Sequence, residues 1–200
     1  LIRTNRASQG IPNLAAWDVG MGLVGAKAAG VTGADLDAWI QGTKDEIEEL
    51  DPSKSYDVIG LAGALYGLAY AGAEFDPTAG PHAAASSLAD LADILAGYQL
   101  ATGGFTWSSG AMGEGVGNET IQETAYAVLA LNEVSRSTYL EHIRKAAAYM
   151  VRVQLPEGGW KNHVNSTSEN NEVTAEALWG LAVAQPILWV DAPDHTDAEG

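Results

Sequence analysis

Aromatic side chains set next to carboxylates are the residues in this chain with chemistry to offer. Trp17 precedes Asp18 and Tyr56 precedes Asp57; Glu119 and Glu123 follow the loop that holds Trp107; Trp160 and His163 precede Glu169 and Glu172. An aromatic face beside a carboxylate binds a sugar ring or a cation, and two carboxyls can divide the acid and base work of glycoside cleavage. Asp18, Asp57 and Glu123 are the candidates for that work, although type and spacing assign no catalytic residue. A plainer reading competes with it: carboxylates at helix starts complement the helix dipole and cap exposed N–H groups, while the aromatics fill turns.

Other chemistries are absent from the alphabet of the chain. It has no cysteine, which removes disulfides, thiolate zinc sites and cysteine nucleophiles. His82, His142, His163 and His195 are scattered without a His-x-x-x-His pair, so no metal site and no cofactor are expected. A calcium site among loop carboxylates would leave no diagnostic motif. With 10 basic against 26 acidic residues the net charge is −16, which repels nucleic acid and anionic membranes and suits a cationic ligand, a salty medium or simple solubility. No apolar run approaches the roughly 18 to 20 residues of a membrane span. Leu1 opens the chain with neither a signal segment nor Met, the pattern expected of a processed or excised fragment. Asn118-Glu119-Thr120 and Asn165-Ser166-Thr167 have the form of glycosylation sequons.

The elements that must position these residues read as helices of two kinds. Charge-poor segments rich in Ala, Gly and Leu are expected at 14–29, 56–71, about 119–134 and from 173 until Pro186 ends the run. Amphipathic segments alternate with them at 35–50, 83–99 and 138–153, their apolar residues at helical spacing. A helix shielded on both faces must be apolar all round, whereas one facing water need be apolar only on one side. An inner layer wrapped by an outer layer satisfies both. Gly60, Gly63 and Gly67 each cost up to about 1 kcal/mol inside a helix, a penalty that close backbone approach between neighbouring helices would offset. Residues 1–13 read as a lead-in strap, 14–190 as one helical domain and 191–200 as an acidic tail.

Two corners punctuate this alternation. Residues 99–105 read Gln-Leu-Ala-Thr-Gly-Gly-Phe and residues 154–160 read Gln-Leu-Pro-Glu-Gly-Gly-Trp, sharing Gln99, Gly103, Gly104 and Phe105 with Gln154, Gly158, Gly159 and Trp160. Each follows an amphipathic segment and leads through a loop into a charge-poor one opened by Thr124-Ala125 or Thr174-Ala175. The loop from Gly103 to Thr120, with Trp107 and glycines 110, 113, 115 and 117, is long enough to suggest a functional segment. Earlier in the chain, Trp17-Asp18-Val19 recurs as Tyr56-Asp57-Val58 39 residues on, and Gly-Leu-x-Gly-Ala recurs after 38. A repeated helix, turn, loop and helix is the mark of an array whose units cover one another.

The corners resemble the Gln-x-x-x-Gly-Gly-Trp/Phe element of the prenyltransferase and squalene-cyclase repeat superfamily, clearly over residues 83–184 and more weakly from Trp17 and Tyr56. The resemblance implies an all-α fold, a terpenoid cyclase-like α/α toroid or arc of about four helix hairpins, where a full ring takes about six. It also implies a structural role for both corners, with Gln holding the start of the next helix and the aromatic packed over the turn. Class II cyclases of that family need Asp-x-Asp-Asp, and the nearest string here, Asp35-Leu36-Asp37-Ala38, lacks the last Asp. Prenyltransferases and thioester domains of the family need a cysteine that this chain does not have.

In such an array the loops gather at one end, bringing together Trp17, Asp18, Tyr56, Asp57, Trp107, Glu119, Glu123, Trp160, His163 and Glu172. The expected function is a non-catalytic module of an extracellular or envelope protein, binding a carbohydrate, a small cation or a protein partner at that end. Neighbouring domains or further copies of the chain would complete the ring. A carbohydrate-active (α/α)-barrel hydrolase or lyase is the alternative, and a terpenoid cyclase-like enzyme stands third.

Overall fold

The computed structural model describes residues 1–110 and 117–190, with the backbone alone for 186–190. Within these residues the chain is all-helical: α1 (Ile2–Ser8), α2 (Leu14–Ala28), α3 (Ala34–Glu48), α4 (Asp57–Ala71), α5 (Leu88–Gly97), α6 (Ile121–Ser135), α7 (Leu140–Arg152) and α8 (Asn171–Val190). The acidic stretch 191–200 and glycines 113 and 115 lie outside the described residues.

The two kinds of helix occupy two layers. α2, α4, α6 and α8 pack in a row, each on the next, while α3 bridges α2 and α4, α5 bridges α4 and α6, and α7 bridges α6 and α8. α4 shows why the inner layer must be charge-poor, since every residue from Asp57 to Leu68 is buried. The outer helices are one-sided: α7 buries Ile143, Ala146, Ala147, Tyr149 and Met150 and turns Glu141 and Lys145 to water.

α2 and α4 meet at backbone distance. A Cβ on Gly20 would fall 2.6 Å from Ala64 Cα, one on Gly67 2.5 Å from the Gly20 carbonyl, and one on Gly60 2.6 Å from the Asn13 carbonyl. The glycine cost inside these helices is therefore offset by contact that no other residue would allow. This also revises the early alignment. α2 begins at Leu14 and α4 at Asp57, 43 residues on, so Asp18 is the fifth residue of its helix and Asp57 the first of its own. Trp17-Asp18 and Tyr56-Asp57 do not occupy equivalent places.

Three boundaries also differ from expectation, two of them through contacts that periodicity does not record. The lead-in contains α1, whose helix is held from outside: Arg6 forms a two-pronged pair with Asp18 (2.5 and 2.7 Å), and Arg3 pairs with Glu46 at 2.7 Å and with Glu49. α5 starts at Leu88, not at 83, because the Ser87 hydroxyl accepts the Asp90 N–H at 3.2 Å while Asp90 accepts from the Ser86 N–H and hydroxyl, a reciprocal cap. α8 continues past Pro186 to Val190. Proline withholds one N–H, and a helix can lose one such bond near its end.

Candidate functional site

The corners at Phe105 and Trp160 share one backbone pattern and one threonine tie. In the first, Leu100 N–H donates to the Gly104 carbonyl and Gly103 N–H to the Leu100 carbonyl, both at 2.9 Å; in the second, Leu155 and Gly158 do the same at the same lengths. Gly103 and Gly158 take φ of 96° and 102°, a region that favours glycine. The Phe105 N–H donates to the Thr124 hydroxyl at 3.0 Å, and the Trp160 N–H to that of Thr174 at 3.0 Å. In return Thr120 N–H reaches the Phe105 carbonyl at 2.8 Å and Asn170 N–H the Trp160 carbonyl at 2.9 Å. Both aromatic rings are fully buried.

The glutamines act differently from the role the resemblance implies. Gln99 Nε2 donates to the Gly103 carbonyl at 2.9 Å and to the His142 carbonyl at 2.8 Å, and Gln154 Nε2 to the Gly158 carbonyl at 2.7 Å. Each closes its own turn, and it is the threonine that ties corner to inner helix.

Most of the aromatic and acidic candidates are likewise occupied within the chain. Trp17 meets Tyr126 edge-on, with ring centroids 5.6 Å apart, and Asp18 is taken by Arg6. Tyr56 sits at the start of α4 in the left-handed region, φ 70°. Asp57 accepts from the Ser109 N–H at 3.0 Å and from its hydroxyl; burial pushes the carboxyl up while these bonds oppose the shift. Glu119 accepts from the Thr102 hydroxyl at 2.5 Å and the Gly117 N–H at 2.7 Å; burial raises it, but the hydrogen bonds together with Arg152 prevail and hold it below its usual range. Glu169 receives a long bond from the Thr174 hydroxyl, 3.4 Å. Glu172 is exposed at the start of α8, where Asn170 Oδ1 accepts its N–H at 2.9 Å.

Two groupings remain. Glu123 is 1% exposed, burial pushes its carboxyl up, and its Oε2 has no hydrogen bond. Glu176, which sequence reasoning passed over, lies on the next inner helix: 8% exposed, raised to about 7 chiefly by burial and further by Glu172 and Glu123, with its own Oε2 unbonded. Its signal was the same as that of Glu123, a carboxyl inside an otherwise charge-poor segment. Among the described residues no three His, Asp or Glu side chains are placed to hold a metal ion.

The second grouping is at the loop end. The His163 ring lies 5.7 Å from that of Trp107, and its Nδ1 accepts the Asn165 N–H at 3.1 Å. Beside it opens a cavity of about 190 Å³, lined by Ile121, Tyr149, Leu155 and Val164 and, on its polar side, by Lys161 and His163. The start of α6, the end of α7, the second corner and the loop after it converge there. Of the sequence candidates this cavity gathers His163, with Trp107 behind it, and none of the carboxylates.

The chain matches no family model, no curated protein and no solved structure.

Proposed function

We propose that the chain is a non-catalytic α/α toroid-like module, of the prenyltransferase and squalene-cyclase repeat kind and set in an extracellular or envelope protein. In this reading it binds a small ligand at the loop end of its inner helices. The shared backbone pattern of the two corners supports the family reading. The observation that carries the function is the cavity beside His163, a concave, mainly apolar space with a few polar groups at the convergence of four segments, the usual form of a ligand site. The occupation of Asp18, Asp57 and Glu119 by partners within the chain argues against acid and base work by those groups.

A second reading has one observation in its favour. Glu123 and Glu176 both hold their protons more tightly than an ordinary carboxyl, as a general acid must, so a hydrolase working through this pair is the alternative. A binding screen of glycans, small amines and small apolar molecules, followed by nuclear magnetic resonance, separates the two. Val164→Trp, at a position 68% exposed beside the cavity, should weaken binding by at least about tenfold, while Glu123→Gln leaves it unchanged. Glycan turnover that Glu123→Gln abolishes, with binding indifferent to Val164→Trp, would establish the hydrolase instead.

A further inference from the structure

α8 is the last inner helix described. It packs on α6 and α7, and it touches α4 through Trp179, whose ring meets Tyr66 edge-on at 5.8 Å, while Arg136 donates to its Val183 carbonyl at 3.2 Å and Leu178 is 54% exposed. Backbone contact is close at Gly180, where an added Cβ would lie 3.2 Å from Ala125 Cα, so the two helices meet with little slack. Within that contact stands Glu176 of α8, bonded to Gln122 of α6, and Glu123 of α6 is close enough for its charge to raise the Glu176 carboxyl; each is more than nine-tenths buried with an unbonded Oε2.

Among the described residues, no cation is among the groups that act on either carboxyl. Glu176 Oε1 accepts from Gln122 Nε2 at 3.0 Å, and the Tyr126 phenol of α6 also favours its charged form. Against these stand burial, which dominates, and two acids, Glu172 from its own helix and Glu123 from α6. From α2 comes Trp17, whose Nε1 is also without a partner and whose ring meets Tyr126. α7 carries Arg144, paired with Glu141, and Arg152, stacked on Tyr149. Two carboxylates in a packed apolar contact without a counter-ion do not both ionise at moderate cost.

We propose that the Glu123 and Glu176 carboxyls form a proton-operated catch, which holds α8 against α6 while protonated and lets that helix open once ionised. The direction follows from where the protons sit. In the closed state Glu176 titrates near 7, and in an opened state it returns to the ordinary carboxyl range near 4.5. Closure is favoured fully below the ordinary value and loses that advantage as pH rises through the closed-state value. Opening would uncover the apolar α6 surface around Ala125 and Tyr126, so the catch governs exposure of the inner face at this edge.

The test is amide hydrogen exchange along α8 in the intact chain between pH 5 and pH 8, corrected for intrinsic rates. The opening constant of α8 should rise by at least about tenfold over that span, while α4, buried along its length, shows no such rise. Glu176→Gln should flatten the α8 profile, and Glu172→Gln, which removes the same charge from an exposed position, should leave most of the slope. A wild-type α8 profile that is flat, or an unchanged slope in Glu176→Gln, overturns the proposal. Should Glu176→Gln fail to fold, side-chain carboxyl resonances of the wild type decide it: both acids titrating in the ordinary carboxylate range would sink the catch, and one titrating near neutrality supports it.

Discussion

At the scale of single residues, the corners show how a short motif does its work through one hydroxyl far along the chain. The Phe105 N–H is buried, and the acceptor that satisfies it is the side chain of Thr124. Thr124→Ala leaves that donor without a partner, which costs about 1–3 kcal/mol, whereas Thr124→Ser keeps the oxygen and should cost under about 1 kcal/mol. Urea unfolding of the pair checks this; equal stability of the two variants would show that the hydroxyl contributes little. The glycines divide in the same spirit. Gly103 and Gly158 share a positive φ, but a Cβ on Gly103 would lie 2.7 Å from the Lys145 carbonyl carbon, while one on Gly158 meets nothing within 4 Å. Gly158→Ala should therefore cost about 1–3 kcal/mol, the strain of the backbone alone, and Gly103→Ala clearly more. Thermal melts that rank the two variants in the opposite order would refute the division.

At the scale of elements, α2 carries its own internal control. Gly20 lies against α4, where an added methyl would press on Ala64 Cα at 2.6 Å, yet Gly25 on the same helix faces open space. Gly25→Ala should stabilise the fold by about 0.4–1 kcal/mol through helix propensity and chain entropy, and Gly20→Ala should destabilise it by forcing α2 and α4 apart. Calorimetry on both variants reads the sign directly, and a stabilising Gly20→Ala would mean that α2 and α4 do not meet as described. These helices were legible in the sequence because burial on all sides excludes charge and burial on one side imposes period, and each constraint is local. α1 was not legible, since its seven residues lean on Glu46, Glu49 and Asp18 rather than on an apolar stripe of their own. The start of α5 was missed for the opposite reason: helical period is blind to a cap, and Ser86, Ser87 and Asp90 set the boundary through three hydrogen bonds.

At the scale of the whole molecule, the candidate site was harder to read than the fold because partners in space are remote in sequence. Asp57 is held by Ser109, and Glu176 is bonded at one oxygen alone by Gln122, pairings 52 and 54 positions apart that no spacing reveals. Of the carboxylates that looked available, Asp18, Asp57 and Glu119 are thus engaged and Glu172 stands exposed, while Glu123 lies inside together with Glu176, which the sequence reading passed over. This arrangement sets the response of the molecule to pH. Glu123 and Glu176, raised by burial, favour folding below their ordinary range and lose that contribution as pH climbs toward neutrality. Glu48, Asp51, Asp90 and Glu119, held low by hydrogen bonds or nearby cations, contribute above the ordinary range and lose it as pH falls through their lowered values. Net charge of −16 adds repulsion that grows on the alkaline side and that salt screens, with a Debye length of about 3 Å at 1 M. Stability should therefore peak on the acid side of neutrality, and added sodium chloride should raise the melting temperature more at pH 8 than at pH 5. Glu176→Gln should move the peak toward neutral pH, because the steepest alkaline loss is then absent. A melting temperature that is highest at pH 8 in low salt, or a peak that Glu176→Gln leaves in place, would show that the buried carboxyls do not set this balance.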